Sequence, residues 1–203
     1  MKIICIGRNY AEHAKEMNSP VPTEPVFFLK PDTALIKDNQ PFYYPDFSKE
    51  IHHEVELVLK INKPGKNIAV EFAHKYYDEI GIGIDFTARD IQAKCKEKGL
   101  PWEKAKAFDG SAPIGQFVNK TQLNEMNNIN FHLNINGNTV QKGNTMDLLF
   151  SFDAVIAYVS QFVTLKTGDL IFTGTPEGVG EVKIGDRLEA FIEDEKLLNF
   201  EIK

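Results

Sequence analysis

The chain has 203 residues, 42% of them hydrophobic and 26% charged, and a formal net charge of -6 at pH 7. These proportions are typical of an ordinary folded protein and exclude a disordered chain. Because no basic cluster offsets the negative charge, we expect the protein to bind neither nucleic acid nor anionic membrane surfaces.

Cysteine usage and the lack of long apolar runs indicate where the protein works. Cys5 and Cys95 are far apart in the chain and form no CxxC motif, so we expect two reduced thiols in a reducing compartment. The N-terminal segment lacks the pattern of a signal peptide, and no apolar run approaches the ~20 residues that cross a bilayer. Since no repeat or flexible linker is found either, the sequence predicts one soluble, cytoplasmic domain over residues 1–203.

The first sixty residues predict three strands and one helix. Apolar runs at 2–7 and 26–30 favour strands, and residues 8–17 have helical composition. Between the helix and the second strand, the loop 18–25 is rich in proline, which excludes a continuous helix. The run IHHEVELVLKI at 51–61 favours a third strand, because apolar side chains dominate it.

The middle of the chain alternates between helical and strand patterns. Residues 70–80 have helical composition, and the apolar run 80–86 favours a strand. Residues 87–99 predict a further helix, in which Thr87 is the N-cap and Gly99 is the stop signal.

The remainder of the chain predicts a hairpin, a helix and several short strands. Asn136 and Gly137 join two alternating segments, a strong hairpin signal. Residues 152–163 carry apolar side chains at helical spacing, with Ser151 as the cap. Beyond residue 164, short strands alternate with Gly-Asp turns. Because strands outnumber helices, the sequence predicts an α+β fold that is mixed, mainly β, with helices packed outside.

Two acids stand in the strand predicted from IHHEVELVLKI. Alternation of side chains places Glu54 and Glu56 on one face, and two positions along a strand cover roughly 6.6 Å. Carboxylates at this separation can converge on one cation, and Asp85 ends a second apolar strand. Three carboxylates suit Mg²⁺ or Mn²⁺ better than Zn²⁺. The pattern alone leaves open that both glutamates face solvent on an edge strand, and it favours structural roles for His52 and His53.

Six motifs follow one another along nearly the whole chain. They are GRNYAEHAKEM at 7–17, KPDTAL at 30–35, HHEVEL at 52–57, GIDFTARDIQ at 83–92, GLPWEKAKAFDGSAPIG at 99–115 and LKTGDLIFTGTPEGVG at 165–180. Together they resemble the fumarylacetoacetate hydrolase family, and within it the small single-domain branch of acylpyruvate hydrolases and oxaloacetate decarboxylases. The resemblance implies the mainly β fold of that family's C-terminal domain, a β-sandwich or roll with peripheral helices.

The resemblance also implies a metal site and a catalytic pair. His13 and Glu16 match a water-activating pair on a mobile lid, which we expect over residues 8–25. Spaced i,i+3, the two are neighbours on one helix face, although the same spacing without the motif describes a solvated face. The matching ligands for Mg²⁺ or Mn²⁺ are Glu54, Glu56 and Asp85.

Five further residues match functional positions of the family. Lys106 matches a catalytic lysine, whose ammonium would stabilise an enolate or oxyanion. Arg89 and Gln92 match substrate-contacting positions, and the guanidinium offers two donors to a carboxylate. Gly174 and Thr175 match a wall of the site where a backbone amide and a hydroxyl meet the substrate carboxylate.

The activity implied is hydrolysis of the C–C bond of acylpyruvates (β-diketo acids) to pyruvate and a carboxylic acid, with decarboxylation of oxaloacetate at the same site. The alternative on this scaffold is an isomerase or tautomerase of 2-hydroxy-dienoates or oxaloacetate. Two rivals of other classes are a non-catalytic binder of metal or oxo acid, and a structural β protein with surface acids. The resemblance also implies a homodimer. Asp32 stands where relatives often have a small hydroxyl residue, and we expect it to influence the substrate tail.

Overall fold

Strands dominate the computed structural model, which describes residues 1–17, 20–123 and 125–203. Within these ranges the strands are β1 (Ile3–Gly7), β2 (Val26–Lys30), β3 (Leu35–Ile36), β4 (Ile51–His53), β5 (Val55–Ile61), β6 (Tyr77–Ile84), β7 (Thr87–Ala88), β8 (Ala112–Asn119), β9 (Asn130–Ile135), β10 (Asn138–Asn144), β11 (Leu170–Phe172), β12 (Gly180–Glu181), β13 (Arg187–Ile192) and β14 (Glu195–Glu201). The helices are α1 (Ala11–Glu16), α2 (Val70–Ala73), α3 (Arg89–Lys98), α4 (Glu103–Lys106) and α5 (Phe152–Phe162). Single 3-10 turns lie at Asp32–Ala34, Lys120–Gln122 and Thr145–Asp147.

The described strands form three sheets. The largest has seven strands in the order β2-β1-β11-β5-β6-β8-β3, the second has the order β10-β9-β13-β14, and the smallest has the order β12-β4-β7. A buried apolar core joins the two larger sheets and one face of α5. The predicted α+β, mainly β architecture with peripheral helices is confirmed. No helix among the described residues is long and apolar enough to cross a membrane.

The central strand β5 explains why the 51–61 segment is almost continuously apolar. Leu57 and Leu59 face the main core, whereas Val58 faces a second apolar cluster that contains Phe172 of β11. A strand covered on both faces needs apolar side chains at consecutive positions rather than at alternate ones. Glu56 lies on the face of Val58, inside the protein, because side chains two positions apart share a face.

Tertiary pairing changes three predicted elements. The 51–61 run is two strands, β4 and β5, separated at Glu54, because β4 pairs with β7 and β12 while β5 pairs with β6 and β11. Only Val70–Ala73 of the predicted 70–80 helix is helical, since Tyr77 already pairs with β5. The N-terminal helix covers Ala11–Glu16 alone.

Local turn and cap signals were more reliable, with one exception. Gly99 ends α3 in the left-handed conformation, and the Ser151 hydroxyl caps α5 by accepting from the backbone N–H of Ala154 at 3.3 Å. Asn136 and Gly137 have φ values of 52° and 80° and join β9 to β10, as predicted. The exception is Thr87, because α3 begins at Arg89 after Ala88 and has no side-chain cap.

Some predictions concern residues that the structure leaves undescribed or untested. Asn18 and Ser19, at the start of the predicted loop 18–25, lie outside the described residues. Both cysteines are buried and free, as predicted. A mobile lid over 8–25 stays a prediction.

A close approach between β8 and β14, in the two larger sheets, supplies a stability test. A Cβ on Gly115 of β8 would lie 2.4 Å from the backbone oxygen of Leu197 in β14, so we expect Gly115→Ala to lower the free energy of unfolding by about 1–3 kcal/mol. Gly7→Ala is the matched control, because its Cβ would meet only the Val26 oxygen, at 3.8 Å. Urea unfolding of both variants measures the difference, and equal stabilities would contradict this packing.

Candidate active site

Three acids meet at the edge of the sheet where β5 begins and β6 ends. Antiparallel pairing sets Val55 opposite Ile84, and the backbone N–H of Asp85 donates to the backbone oxygen of Glu54 at 2.8 Å. Carboxylate oxygens of Glu54, Glu56 and Asp85 all lie within 4.8 Å of one another. The side chains are 5%, 1% and 1% exposed, which excludes the alternative that the two glutamates face solvent.

Two cations from α3 and α4 neutralise part of this negative charge. The Lys106 ammonium, at the end of α4, donates to Glu54 Oε2 at 2.7 Å and to Asp85 Oδ2 at 2.8 Å. Arg89, the first residue of α3, donates from Nη2 to Glu54 Oε1 at 2.7 Å. The Thr87 hydroxyl donates to the same oxygen at 3.0 Å, which is the role this residue has instead of capping α3.

A third cation, Lys30, was missed in the sequence analysis. It ends β2 with its side chain fully buried, and its Nζ lies 2.7 Å from Asp85 Oδ1. The ammonium also donates to the backbone oxygen of Ser111 at 2.9 Å, to its hydroxyl at 3.0 Å and to the backbone oxygen of Lys106. The only sequence signal was that Lys30 ends an apolar strand and begins the KPDTAL motif. Its role depends on contacts with Asp85 and Ser111, which lie far away in the sequence.

The pKa shifts within the cluster follow from this arrangement. Burial disfavours the charged form of Glu54, but the positive charges of Lys106 and Arg89 outweigh this effect and hold the pKa of Glu54 well below the usual range. Burial, together with the charges of Asp85 and Glu54, raises the pKa of Glu56 well above the usual range. Burial lowers the pKa of Lys106, but the two carboxylates outweigh it and raise the pKa, so the ammonium stays charged.

The donor set fits a hard divalent cation. Although Asp85 Oδ1 has the Lys30 ammonium nearby, no directed hydrogen bond reaches this buried oxygen. Among the three acids, Glu56 has no ion pair with a described cation, whereas Glu54 and Asp85 each have two. A divalent cation would satisfy both atoms, and carboxylate oxygens are the ligands that Mg²⁺ and Mn²⁺ prefer.

The glycine-rich segment after β11 closes one side of the cluster. The backbone N–H of Gly174 donates to Glu56 Oε2 at 2.7 Å, so this amide holds an acid of the cluster. A Cβ on Gly174 would lie 2.6 Å from the Asn9 Cβ, and its φ is +103°; only glycine fits here. The Thr175 hydroxyl accepts from Gln141 Nε2 at 2.9 Å.

Gln141 is a second residue that the sequence analysis missed. Its Oε1 lies 2.8 Å from His53 Nδ1 and accepts from the Val55 N–H at 3.0 Å. It therefore ties the β4–β5 junction to Thr175. No sequence signal marks it, because the partners lie 88 residues apart. His53 has a structural partner, as expected, and so does His52, which is bonded to Glu50 at 2.9 Å.

His13 and Glu16 lie on α1 beside the cluster. His13 Nδ1 is 3.2 Å from Glu16 Oε2, as the i,i+3 spacing predicts, and the His13 side chain is buried. Glu16 Oε1 accepts from the Gly178 N–H at 3.0 Å, which fastens α1 to the glycine-rich segment. Because His13 is buried, the alternative of a solvated helix face is excluded for this residue.

One pocket brings most of the predicted site residues together, although Glu16 and Gly174 do not line it. It is lined by Ile6, Gly7, Arg8, His13, Met17, Val26, Phe28, Glu54, Glu56, Asp85, Arg89, Gln92, Lys96, Trp102, Lys106 and Thr175. Gln92 is buried and accepts from Arg89 Nη1 at 2.8 Å. Asp32 is exposed and does not line this pocket, which removes the expected direct influence on a substrate tail.

The sequence matches a known family over almost its full length. The pattern described as fumarylacetoacetate (FAA) hydrolase C-terminal covers residues 2–202. The chain belongs to this family. The recognition made from the six motifs is confirmed, and so is the fold that the motifs implied.

Three relatives illustrate the family's range. The mouse protein named oxaloacetate tautomerase FAHD1, mitochondrial, is 44% identical over 201 residues, which cover 99% of this chain and 91% of the relative. A family protein from Yersinia pestis CO92 is 42% identical with a TM-score of 0.95, covering 100% of this chain and 93% of its own. Fumarylpyruvate hydrolase from Pseudomonas aeruginosa, solved with Mn²⁺ and pyruvate, is 37% identical with a TM-score of 0.94, covering 100% and 89%.

The Lys30 ion pair can be tested through stability. Lys30→Met leaves Asp85 with one cation and the backbone oxygens of Lys106 and Ser111 without this donor, so we expect a loss of about 3–5 kcal/mol in the free energy of unfolding. Lys60→Met is the control, since its ion pair with Glu79 is exposed and contributes at most about 1 kcal/mol. Urea unfolding in metal-free buffer compares them; similar losses would refute the buried ion pair.

Proposed function

We propose that the chain is an enzyme that forms the enolate of a small 2-oxo acid with the help of Mg²⁺ or Mn²⁺. One observation carries the proposal: three buried carboxylates meet inside a pocket, and the Lys106 ammonium is bonded to two of them. The similar hydrolase solved with Mn²⁺ and pyruvate supports it. Glu54, Glu56 and Asp85 would hold the ion, which, when bound, supplies Lewis-acid polarisation of the keto and carboxylate oxygens of the substrate.

Residues of the chain would orient the substrate and stabilise its developing charge. The ammonium of Lys106 would stabilise the enolate oxygen, because a buried charge acts strongly on a nearby oxyanion. Arg89 holds Glu54 and Gln92 in place and offers donors to a substrate carboxylate. Thr175 and Gly174 would form one wall of the site. In this structure the Gly174 amide donates to Glu56, and its contact with the substrate stays a prediction.

His13 and Glu16 would move the proton. Glu16 orients the imidazole through Nδ1, which leaves Nε2 available as a general base. In an acylpyruvate, this base would take a proton from the water that attacks the distal carbonyl. The bond from that carbonyl carbon to the neighbouring CH₂ would then break, leaving a carboxylic acid and the pyruvate enolate, whose carbon would receive the proton to give pyruvate. In oxaloacetate tautomerisation, the same atom would take the proton from the carbon next to the keto group, and the resulting enolate oxygen would receive a proton to give the enol.

Two candidate reactions share this site. Hydrolysis of acylpyruvates, with decarboxylation of oxaloacetate beside it, is the first, and the fumarylpyruvate hydrolase supports it. Tautomerisation of oxaloacetate is the second, and the mouse relative supports it by name. A substrate panel with metal-loaded enzyme separates them: pyruvate release marks cleavage, whereas an absorbance change without release marks tautomerisation. A cytoplasmic location, the homodimer and a single catalytic domain over 1–203 stay predictions.

Metal binding is tested by Asp85→Asn. Replacing one carboxylate removes an anionic ligand, so we expect Mn²⁺ binding measured by calorimetry to weaken by at least ~100-fold, as the energy of a desolvated charge contact implies. We also expect Mn²⁺ to stop raising the unfolding temperature. Asp78→Asn is the control, because Asp78 is exposed. Unchanged Mn²⁺ affinity in Asp85→Asn would disprove the proposed metal site.

The proton-transfer role is tested by His13→Gln. Without the base we expect kcat to fall roughly 10²- to 10⁴-fold on whichever substrate the wild type uses, with Mn²⁺ affinity unchanged, because His13 is not among the clustered carboxylates. Stopped assays for pyruvate and absorbance measure turnover. Full activity of the variant would exclude this role, and loss of Mn²⁺ binding would point to a structural one.

A further inference from the structure

We propose that Arg8 and Lys96 form a subsite for a second carboxylate of the substrate, so that the enzyme prefers dicarboxylic 2-oxo acids to monocarboxylic ones. This inference rests on the proposed function, since it assumes that the carboxylate cluster and its metal take the 2-oxo acid end. Both cations line the pocket that contains the cluster.

Arg8 differs from the other arginines of the chain. Arg89 bonds to Glu54 and Gln92, and Arg187 bonds to Asn199 and Glu201. Among the residues that the structure describes, the guanidinium of Arg8 has neither a hydrogen bond nor an ion pair, although the residue is half-buried. A guanidinium without a protein partner in a pocket is available to pair with a carboxylate of a ligand.

The backbone at Arg8 is held in an unusual conformation. Its φ is 61°, in the left-handed region that residues with a Cβ rarely occupy. The next residue, Asn9, is fully buried and fixes this conformation: Nδ2 donates to the oxygens of Phe150 at 3.0 Å and Thr173 at 2.8 Å, and Oδ1 accepts from the Phe150 N–H at 2.8 Å. Strain kept at a pocket residue points to a functional role.

Lys96 brings a second cation to the same region. It lies on α3 four residues after Gln92 and seven after Arg89, so the three share a helix face. Lys96 is an exposed residue that lines the pocket; partial desolvation and the charges of Arg89 and Arg8 lower its pKa, while the charge of Glu54 opposes this. The ammonium has an aromatic neighbour in Trp102, whose ring centre is 6.0 Å away, but no acid partner among the residues in 1–17, 20–123 and 125–203.

The charges of the pocket leave these two cations uncompensated. Lys30, Arg89 and Lys106 are already paired with Glu54 and Asp85. Glu56 has no ion pair among the described residues; it accepts from the Gly174 N–H and would face the proposed metal. Arg8 and Lys96 therefore remain for an anion that the chain does not provide. The first carboxylate and the keto oxygen of a 2-oxo acid would lie at the cluster, so a carboxylate at the other end of the substrate is the matching group.

The test compares two substrates in Arg8→Gln and Lys96→Gln, each loaded with Mg²⁺. We expect the KM for oxaloacetate, which is dicarboxylic, to rise ~10- to 100-fold, the size of one lost charge-assisted hydrogen bond. The KM for acetylpyruvate, which is monocarboxylic, should stay unchanged. Lys94→Gln is the matched control, since Lys94 and Lys96 are both exposed lysines of α3 and only Lys96 lines the pocket.

A binding measurement separates this proposal from the proposed function. By calorimetry, both variants should bind oxalate like the wild type and bind 3,3-difluoro-oxaloacetate, which has no proton to transfer, more weakly. Arg8→Lys should restore part of that affinity. Equal weakening towards oxalate and acetylpyruvate would mean general attraction of anions and overturn the subsite, and so would unchanged binding of both probes. A wild type that binds the dicarboxylic probe but turns over no oxo acid would instead overturn the proposed function.

Discussion

The buried contact between the Lys106 ammonium and the carboxylates of Glu54 and Asp85 is the interaction around which the rest is arranged. Taking charges out of water costs several kcal/mol each unless every charge has a partner. The protein meets this requirement with cations from three separate elements: Lys30 ends β2, Arg89 begins α3 and Lys106 ends α4. The remaining imbalance, at Glu56, is the feature that fits a divalent cation.

The sheet positions these groups because its central strand pairs with both strands that carry the site. β5 lies between β6 and β11, so Asp85 leaves β6 beside Glu54, and Gly174 follows β11 beside Glu56. At Glu54 the chain leaves β4 of the three-stranded sheet and enters β5 of the seven-stranded sheet. The site therefore lies where the chain passes from one sheet to the other.

Enolate stabilisation at such a centre serves cleavage and tautomerisation alike, which is consistent with relatives that carry both kinds of name. The cluster itself contains nothing that chooses between substrates. In our proposal the pocket walls make this choice: α1 carries His13, while the loop before α1 and the helix α3 carry Arg8 and Lys96. In the proposed scheme, residues at the edge of the sheet carry out the chemistry, and residues of the segments that cover the sheet select the substrate.

The sequence by itself determined the mainly β class, the hairpin at Asn136–Gly137 and the three clustered acids, because side-chain alternation, turn chemistry and the six motifs are local properties of the chain. Only the tertiary structure decided that Lys30 and Gln141 belong to the site. Their partners lie far away in sequence: Ser111 is 81 residues from Lys30, and His53 is 88 residues from Gln141. For the same reason residues 77–80 became strand, since pairing with β5 outweighs a local helical composition whose propensities differ by well under ~1 kcal/mol per residue.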